Sequence, residues 1–99
     1  MFDTQITLIK DQVVIGGKGV PATIQERTTV YATVSSVTGS EFFDAGQGGI
    51  RPEYQFVIYD AEYNGQQDVE YNGVVYRVYR TYRRDKDKIE LYVEARPGV

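Results

Sequence analysis

The sequence predicts an all-β fold, a small barrel or sandwich of about six mostly antiparallel strands, with a long inter-strand loop carrying one short helix. Three observations predict it. Apolar residues recur with a period of two in almost every segment. Glycine, proline and Asn-Gly pairs punctuate those segments where turns are needed. Tyrosine, which suits a half-buried pleated surface, occurs nine times, against four Phe and no Trp. A length of 99 residues corresponds to a single domain, here 1–99, with 37–53 as a flexible insertion loop.

The elements follow in order. Ile6, Leu8 and Lys10 alternate with Gln5, Thr7 and Ile9, and Val13-Val14-Ile15 continues this first strand toward the glycine-rich turn Gly16–Pro21. The run from Thr23 to Val37 is rich in β-branched residues, with Val30, Ala32 and Val34 on one face and Tyr31, Thr33 and Ser35 on the other. Tyr54–Tyr59 reads as a third strand with bulky side chains on both faces. Asn64-Gly65 and Asn72-Gly73 both favour positive φ, as tight hairpin turns require, and the second is closely flanked by Asp68–Tyr71 and Val74–Tyr79. After the charged turn Arg83–Lys88, the last strand alternates cleanly, with Ile89, Leu91 and Val93 inward and Glu90, Tyr92 and Glu94 outward. The expected core is Ile6, Leu8, Val30, Ala32, Val34, Ile89, Leu91 and Val93. The one helical candidate is Thr38–Gly46, where Thr38 and Glu41 have capping-box spacing. A helix that short needs a surface to dock on.

Composition narrows the function. There is no Cys and no His, so neither a disulfide nor a thiolate zinc site can form, and acid–base work would fall to carboxylates, lysines or tyrosines. Most of the acids sit in turns or alternate with apolar residues, as solvated charges do. Asp85–Glu90 lacks the ligand count and the central glycine of a calcium loop, and Gly16–Gly19 lacks the hydroxyl and spacing of a phosphate loop. The expectation is no enzyme, no cofactor and no metal. The start, Met-Phe-Asp-Thr-Gln, has no signal-peptide pattern, and no apolar run approaches membrane-spanning length.

Two features point to partners. Ser40–Tyr54 places Phe42 and Phe43 ahead of the glycine-rich run Gly46-Gln47-Gly48-Gly49. The two rings either pack beneath the loop or, with Ile50, form an exposed anchor for a neighbouring subunit. Arg77, Arg80, Arg83 and Arg84 interleave with Tyr76, Tyr79 and Tyr82, a mixture that single-strand nucleic-acid binders use. In a straight strand Arg77 and Tyr79 face away from Tyr76, Arg80 and Tyr82, so each face is diluted unless a bulge realigns them. Tyrosines packed across strands with arginines at the rim is the alternative. The net charge of −3 predicts weak attraction for nucleic acid.

Ser40-Glu-Phe-Phe-Asp-Ala-Gly-Gln47 with Pro52-Glu-Tyr54, Glu70-Tyr-Asn-Gly73, Tyr76-Arg-Val-Tyr-Arg-Thr-Tyr82 and Glu90-Leu-Tyr92 together resemble the head–tail joining proteins of long-tailed bacteriophages and prophages, also called head closure or adaptor proteins. The resemblance covers nearly the whole chain and departs at Val13–Ala22. It implies a structural virion protein, a small β-barrel that forms a ring below the portal, closes the DNA-filled head and offers the tail attachment surface. The implied partners are the portal protein, the tail completion protein and further copies of the chain. The resemblance further implies that genome DNA passes through without sequence-specific binding, that no membrane is involved, and that assembly takes place in the bacterial host cytoplasm. In some relatives the insertion equivalent to 37–53 reaches toward the channel. The candidate interface residues are Phe42, Phe43, Gln47, Ile50, Arg51 and Tyr54, and the candidate gating positions are Gly46, Gly48 and Gly49. A small β-barrel nucleic-acid-binding module is the alternative reading.

Overall fold

The computed structural model describes residues 2–37, Gly39 and 48–95. Within them the chain forms six strands, β1 (Thr4–Ile15), β2 (Pro21–Ser36), β3 (Pro52–Tyr59), β4 (Asp68–Tyr71), β5 (Val74–Arg83) and β6 (Lys88–Ala95). A 3-10 turn at Asp60–Glu62 follows β3. Every pairing is antiparallel, and the strands close into a barrel in the spatial order β1-β2-β3-β6-β5-β4. The barrel, not the sandwich, is the architecture adopted. The helix expected over Thr38–Gly46 lies, apart from Gly39, outside the described residues.

Alternation puts Ile6, Leu8, Val30, Ala32, Ile89, Leu91 and Val93 in the buried interior, as expected. Val34 is only partly buried, at the margin of that cluster. Phe56, Ile58 and Val69 complete the core and are fully buried. The pattern of β3 does not reveal which of its faces points inward. Cross-strand register decides it, because Phe56 stands opposite Leu91 and Ile58 opposite Ile89. One end of the interior is filled by aromatic rings. Tyr54 lies 5.3 Å from Tyr71 and 5.5 Å from Tyr76, both edge-on, and Phe56 lies 5.4 Å from Tyr71.

Glu90 corrects the picture of a solvated outer face on β6. It keeps its outward register but is only 7% exposed. Its carboxylate accepts hydrogen bonds from Arg84 Nε at 2.8 Å and from the Tyr92 hydroxyl at 2.5 Å. Burying a carboxylate without such partners costs several kcal/mol, roughly.

The two Asn-Gly pairs do different jobs. Asn72 (φ 52°) and Gly73 (φ 78°) form the two-residue turn between β4 and β5 that the sequence predicts. Asn64-Gly65 is not a hairpin turn. It lies in the connection from β3 to β4, which leads to a strand paired with β1 and β5. This segment is held by its neighbours. Gln66 is buried, its side-chain oxygen accepts from the Asn64 N–H at 2.6 Å, and its carbonyl accepts from the Tyr63 hydroxyl at 2.8 Å. Lys10 Nζ donates to the Asn64 carbonyl at 3.0 Å, and the Val78 N–H to the Gln67 carbonyl at 2.8 Å.

Candidate assembly interface

β1 and β2 outrun the barrel. β1 pairs with β4 only over Thr7–Ile9, and β2 with β3 only over Thr33–Ser36. The β1–β2 ladder, by contrast, continues unbroken from Thr4 opposite Ala32 to Ile15 opposite Pro21. The stretch from Lys10 to Glu26 is therefore a two-stranded arm standing off the barrel. Its tip is closed by bonds from the Gly16 N–H to the Val20 carbonyl (2.9 Å) and from the Gly19 N–H to the Gly16 carbonyl (3.0 Å), with Lys18 at φ 94°. The arm accounts for the elongated shape, 51 × 30 × 25 Å. The radius of gyration is 14.8 Å, where a compact chain of this length has about 13 Å. Val13 and Ile15 are 72% and 69% exposed, and Val20 and Ile24 are exposed as well.

The second candidate element is the return of the 37–53 insertion into β3. Gly48 is exposed, Gly49 adopts φ 84°, Ile50 is partly buried and Arg51 is exposed. The Ala95 N–H donates to the Arg51 carbonyl at 3.4 Å. Tyr54 is half-buried and its ring belongs to the aromatic cluster. Ile50 and Arg51 thus lead into β3, with Arg51 exposed and Tyr54 turned toward the interior cluster. Phe42, Phe43, Gly46 and Gln47 lie outside the described residues.

The arginine–tyrosine run on β5 is realigned by a bulge. The β5–β6 register shifts between Val78 and Arg80, so Arg77 stands opposite Glu94, Arg80 opposite Tyr92 and Tyr82 opposite Glu90, all on the outer face. Tyr76 stays inside, against Tyr54. The shared face is not a basic groove, because carboxylates are interleaved with it. Arg84 bonds Glu90, Arg83 Nε bonds Asp60 at 2.9 Å, and the Arg80 guanidinium lies 3.9 Å from the centre of the Tyr92 ring. Such pairing favours a locally satisfied surface over one that releases counterions from phosphates. Among the described residues no group of three or more acidic side chains could hold a metal ion.

Three tyrosines tie this architecture to pH. Burial pushes the Tyr63 phenol above its ordinary range. Burial does the same for Tyr76, reinforced by Tyr54 and Glu53, and for Tyr92, reinforced by its bond to Glu90 and opposed by Arg80. In the unfolded chain these phenols ionise near about pH 10, before the folded ones do. Their contribution to stability is therefore complete below that pH and declines as pH rises through the folded values. We expect the thermal midpoint to fall between about pH 9.5 and about pH 11, with a shallower fall in Tyr92→Phe. A midpoint that is flat or rising over that range contradicts this.

A family model described as phage head completion protein matches residues 1–97. The chain belongs to the phage head completion protein family. A search of curated proteins gives no match. As a head completion protein it is a structural component of the virion with a role in closing the head, and its family is not an enzyme class. It works with other phage head and tail proteins. Among the described residues no helix is long and apolar enough to cross a membrane. In this head completion protein a closed barrel supplies a finished core, and the β1–β2 arm leaves it.

Proposed function

We propose that this head completion protein forms a ring below the portal protein once DNA is packaged, closes the filled head and presents the surface on which the tail completion protein docks. The observation that carries this reading is the arm. A barrel whose interior is already filled projects a ribbon with Val13, Ile15, Val20 and Ile24 uncovered, and apolar surface of that kind marks contact with other proteins. Heterologous contacts, in which one patch meets a different patch on the next copy, generate rings. The balanced charges of the β5–β6 face suit a conduit through which genome DNA passes without sequence-specific binding. Assembly takes place in the host cytoplasm, on heads already filled.

In this reading 37–53 is a flexible insertion within a single domain. Phe42, Phe43, Gln47, Ile50, Arg51 and Tyr54 supply contacts to neighbours, and Gly46, Gly48 and Gly49 give the segment freedom to reach the channel. The test is complementation. Heads made without the protein should package DNA, lose it and fail to accept tails, and supplying the wild-type chain should restore all three properties. Heads that keep their DNA and join tails without it overturn the proposal. The double variant Phe43→Ser/Ile50→Ser should keep the wild-type circular dichroism spectrum yet lose most infectious particles. Normal titres from that variant would remove the insertion from the mechanism.

A further inference from the structure

We propose that the β1–β2 arm of one copy docks on the outer wall of β1, β2 and β3 of the next copy. The inference deepens the reading of the chain as a ring subunit, and rests on it. Two separate observations lead to it.

The first is the chemistry of the arm. From Gln12 to Gln25 the only ionisable side chain is Lys18, in a chain that is 25% charged. Both faces of the ribbon carry apolar side chains. Val13 and Ile15 share the face that continues the outside of the barrel, and Val14, Ala22 and Ile24 share the face that continues its interior. The outer edges of the ribbon are also unpaired over Lys10–Ile15 and Pro21–Glu26. A ribbon left in solvent is ordinarily blunted by charges, because open edges and apolar faces recruit other chains. This one has Lys10, Asp11 and Glu26 at its base, Lys18 at its tip and Pro21 at the start of β2, and no charge on the strands between. Its composition is that of a surface covered in the assembled state.

The second observation is a matching surface elsewhere on the same chain. The barrel wall is divided by charge. On the β4–β5–β6 side the outward positions include Asp68, Glu70, Arg77, Arg80, Lys88 and Glu94. On the β1–β2–β3 side the central ones are Gln5, Thr29, Tyr31, Ser35, Gln55 and Tyr59, and the charges stand at the margins, Arg27 bonded to Glu70 and Glu53 exposed at the start of β3. Tyr31 is 57% exposed and Tyr59 47% exposed, and the Phe2 ring lies 4.7 Å from that of Tyr59. Depletion of charge together with exposed tyrosine is the composition of an interface centre.

The occupant follows from the pairing of these two surfaces. The arm is held to its own barrel by a continuous ladder that directs it away from the body, so it cannot fold back onto its own wall. A second copy supplies the same charge-poor, tyrosine-bearing wall. Donor and receiver are different patches, so each copy gives one contact and takes one, and the association propagates around a ring without pairing off into dimers. The arm is short, fewer residues than the 20–30 per side of a standard interface. It therefore secures neighbours already brought side by side on the portal and does not have to drive association alone.

The chain has no cysteine, so single thiols report contacts cleanly. Val13→Cys on the arm and Tyr31→Cys on the wall replace exposed side chains, and unchanged thermal midpoints verify that both variants fold. The two are mixed and treated with a flexible bis-maleimide, as purified protein at high concentration and again on completed heads. The expected result is an arm–wall adduct as the main product. A chain carrying both cysteines should give a ladder of trimers and larger species. Adding Val13→Glu to a chain with Lys18→Cys as its arm thiol should lower the adduct at least about tenfold, and Tyr31→Lys in a partner carrying Tyr59→Cys should recover it.

Arm–arm adducts as the main product would overturn the proposal, as would dimers alone from the doubly substituted chain. No adduct in either setting, while heads close and join tails normally, would also overturn it and leave the head-closure reading intact. Failure of the complementation test is a separate outcome, because it is scored on DNA retention and tail joining with the wild-type chain.

Discussion

Phe56→Ala should destabilise the protein by about 3–5 kcal/mol, the largest loss expected from any single truncation here. Phe56 is the largest fully buried side chain. It stands between Val34 on β2 and Leu91 on β6, and its ring touches those of Tyr54 and Tyr71. Truncation removes the ring's transfer free energy and leaves a void that a closed barrel cannot collapse, because every strand around it is fixed by two neighbours. For a domain of this size the loss is a large share of the roughly 5–15 kcal/mol that holds it folded. Denaturant titration should show the midpoint moving sharply to lower concentration. A loss below about 1 kcal/mol would mean that the ring is not enclosed as described.

Leu91→Ala should cost about 2–5 kcal/mol. Leu91 has no exposed surface and sits directly across from Phe56. The comparison with Val34→Ala is informative, because Val34 lies at the margin of the same cluster and should cost less. The double variant Phe56→Ala/Leu91→Ala should fall short of the sum of the two single losses, since both truncations open one shared space. Equal losses for Leu91→Ala and Val34→Ala would put the inward face of β6 in doubt. Strict additivity would do the same for the contact between Phe56 and Leu91.

These two residues also mark where the sequence was legible. Leu91 lies in a strand of strict alternation, Ile89-Glu-Leu-Tyr-Val93, so its inward position could be read directly. Phe56 could not be assigned, because Tyr54–Tyr59 is bulky on both faces and Val57, on the outward side, is buried too. The period-two rule needs one polar face to work against, and the outward face of β3 mixes Gln55 with Val57 and Tyr59. Turn chemistry was half-informative for a related reason. Asn-Gly states that the backbone needs positive φ, which holds for Gly65 and Gly73 alike. Whether the flanking strands pair is a non-local matter. The bulge after Val78 was anticipated only as a condition, and it is what places Arg77 and Arg80 on one face.

The arm was hidden in a different way. Val13-Val14-Ile15 reads as a continuation of β1, and so it is. Nothing in local alternation tells a strand flanked by partners from one that has left the barrel behind. The telling signal was the scarcity of charge between Gln12 and Gln25, where Lys18 stands alone, a property of composition and not of periodicity. The insertion residues Phe42, Phe43, Gly46 and Gln47 were legible as candidates because two adjacent rings before a glycine-rich run are unusual in a strand connection. Glu90 shows the opposite limit. Its outward register was correct, but its burial depends on Arg84 and Tyr92 folding over it, which alternation does not encode.

The strand order also sets a timetable for folding. The β1–β2 hairpin joins neighbours in sequence and can form within microseconds, on the order of 1–10. Closure requires Leu8 to find Val69 and β3 to find β6 across the intervening strands, and such distant pairings place barrels among the slower-folding small domains. During that interval the edge of β1 that β4 will cover is open to any β4 within reach, including that of another nascent copy. A protein synthesised in many copies for one structure is therefore exposed to strand exchange before its barrel shuts. Speeding closure, for example by stabilising the Asn72-Gly73 turn that presents β4, should raise the yield of correctly folded chains more than it raises their final stability.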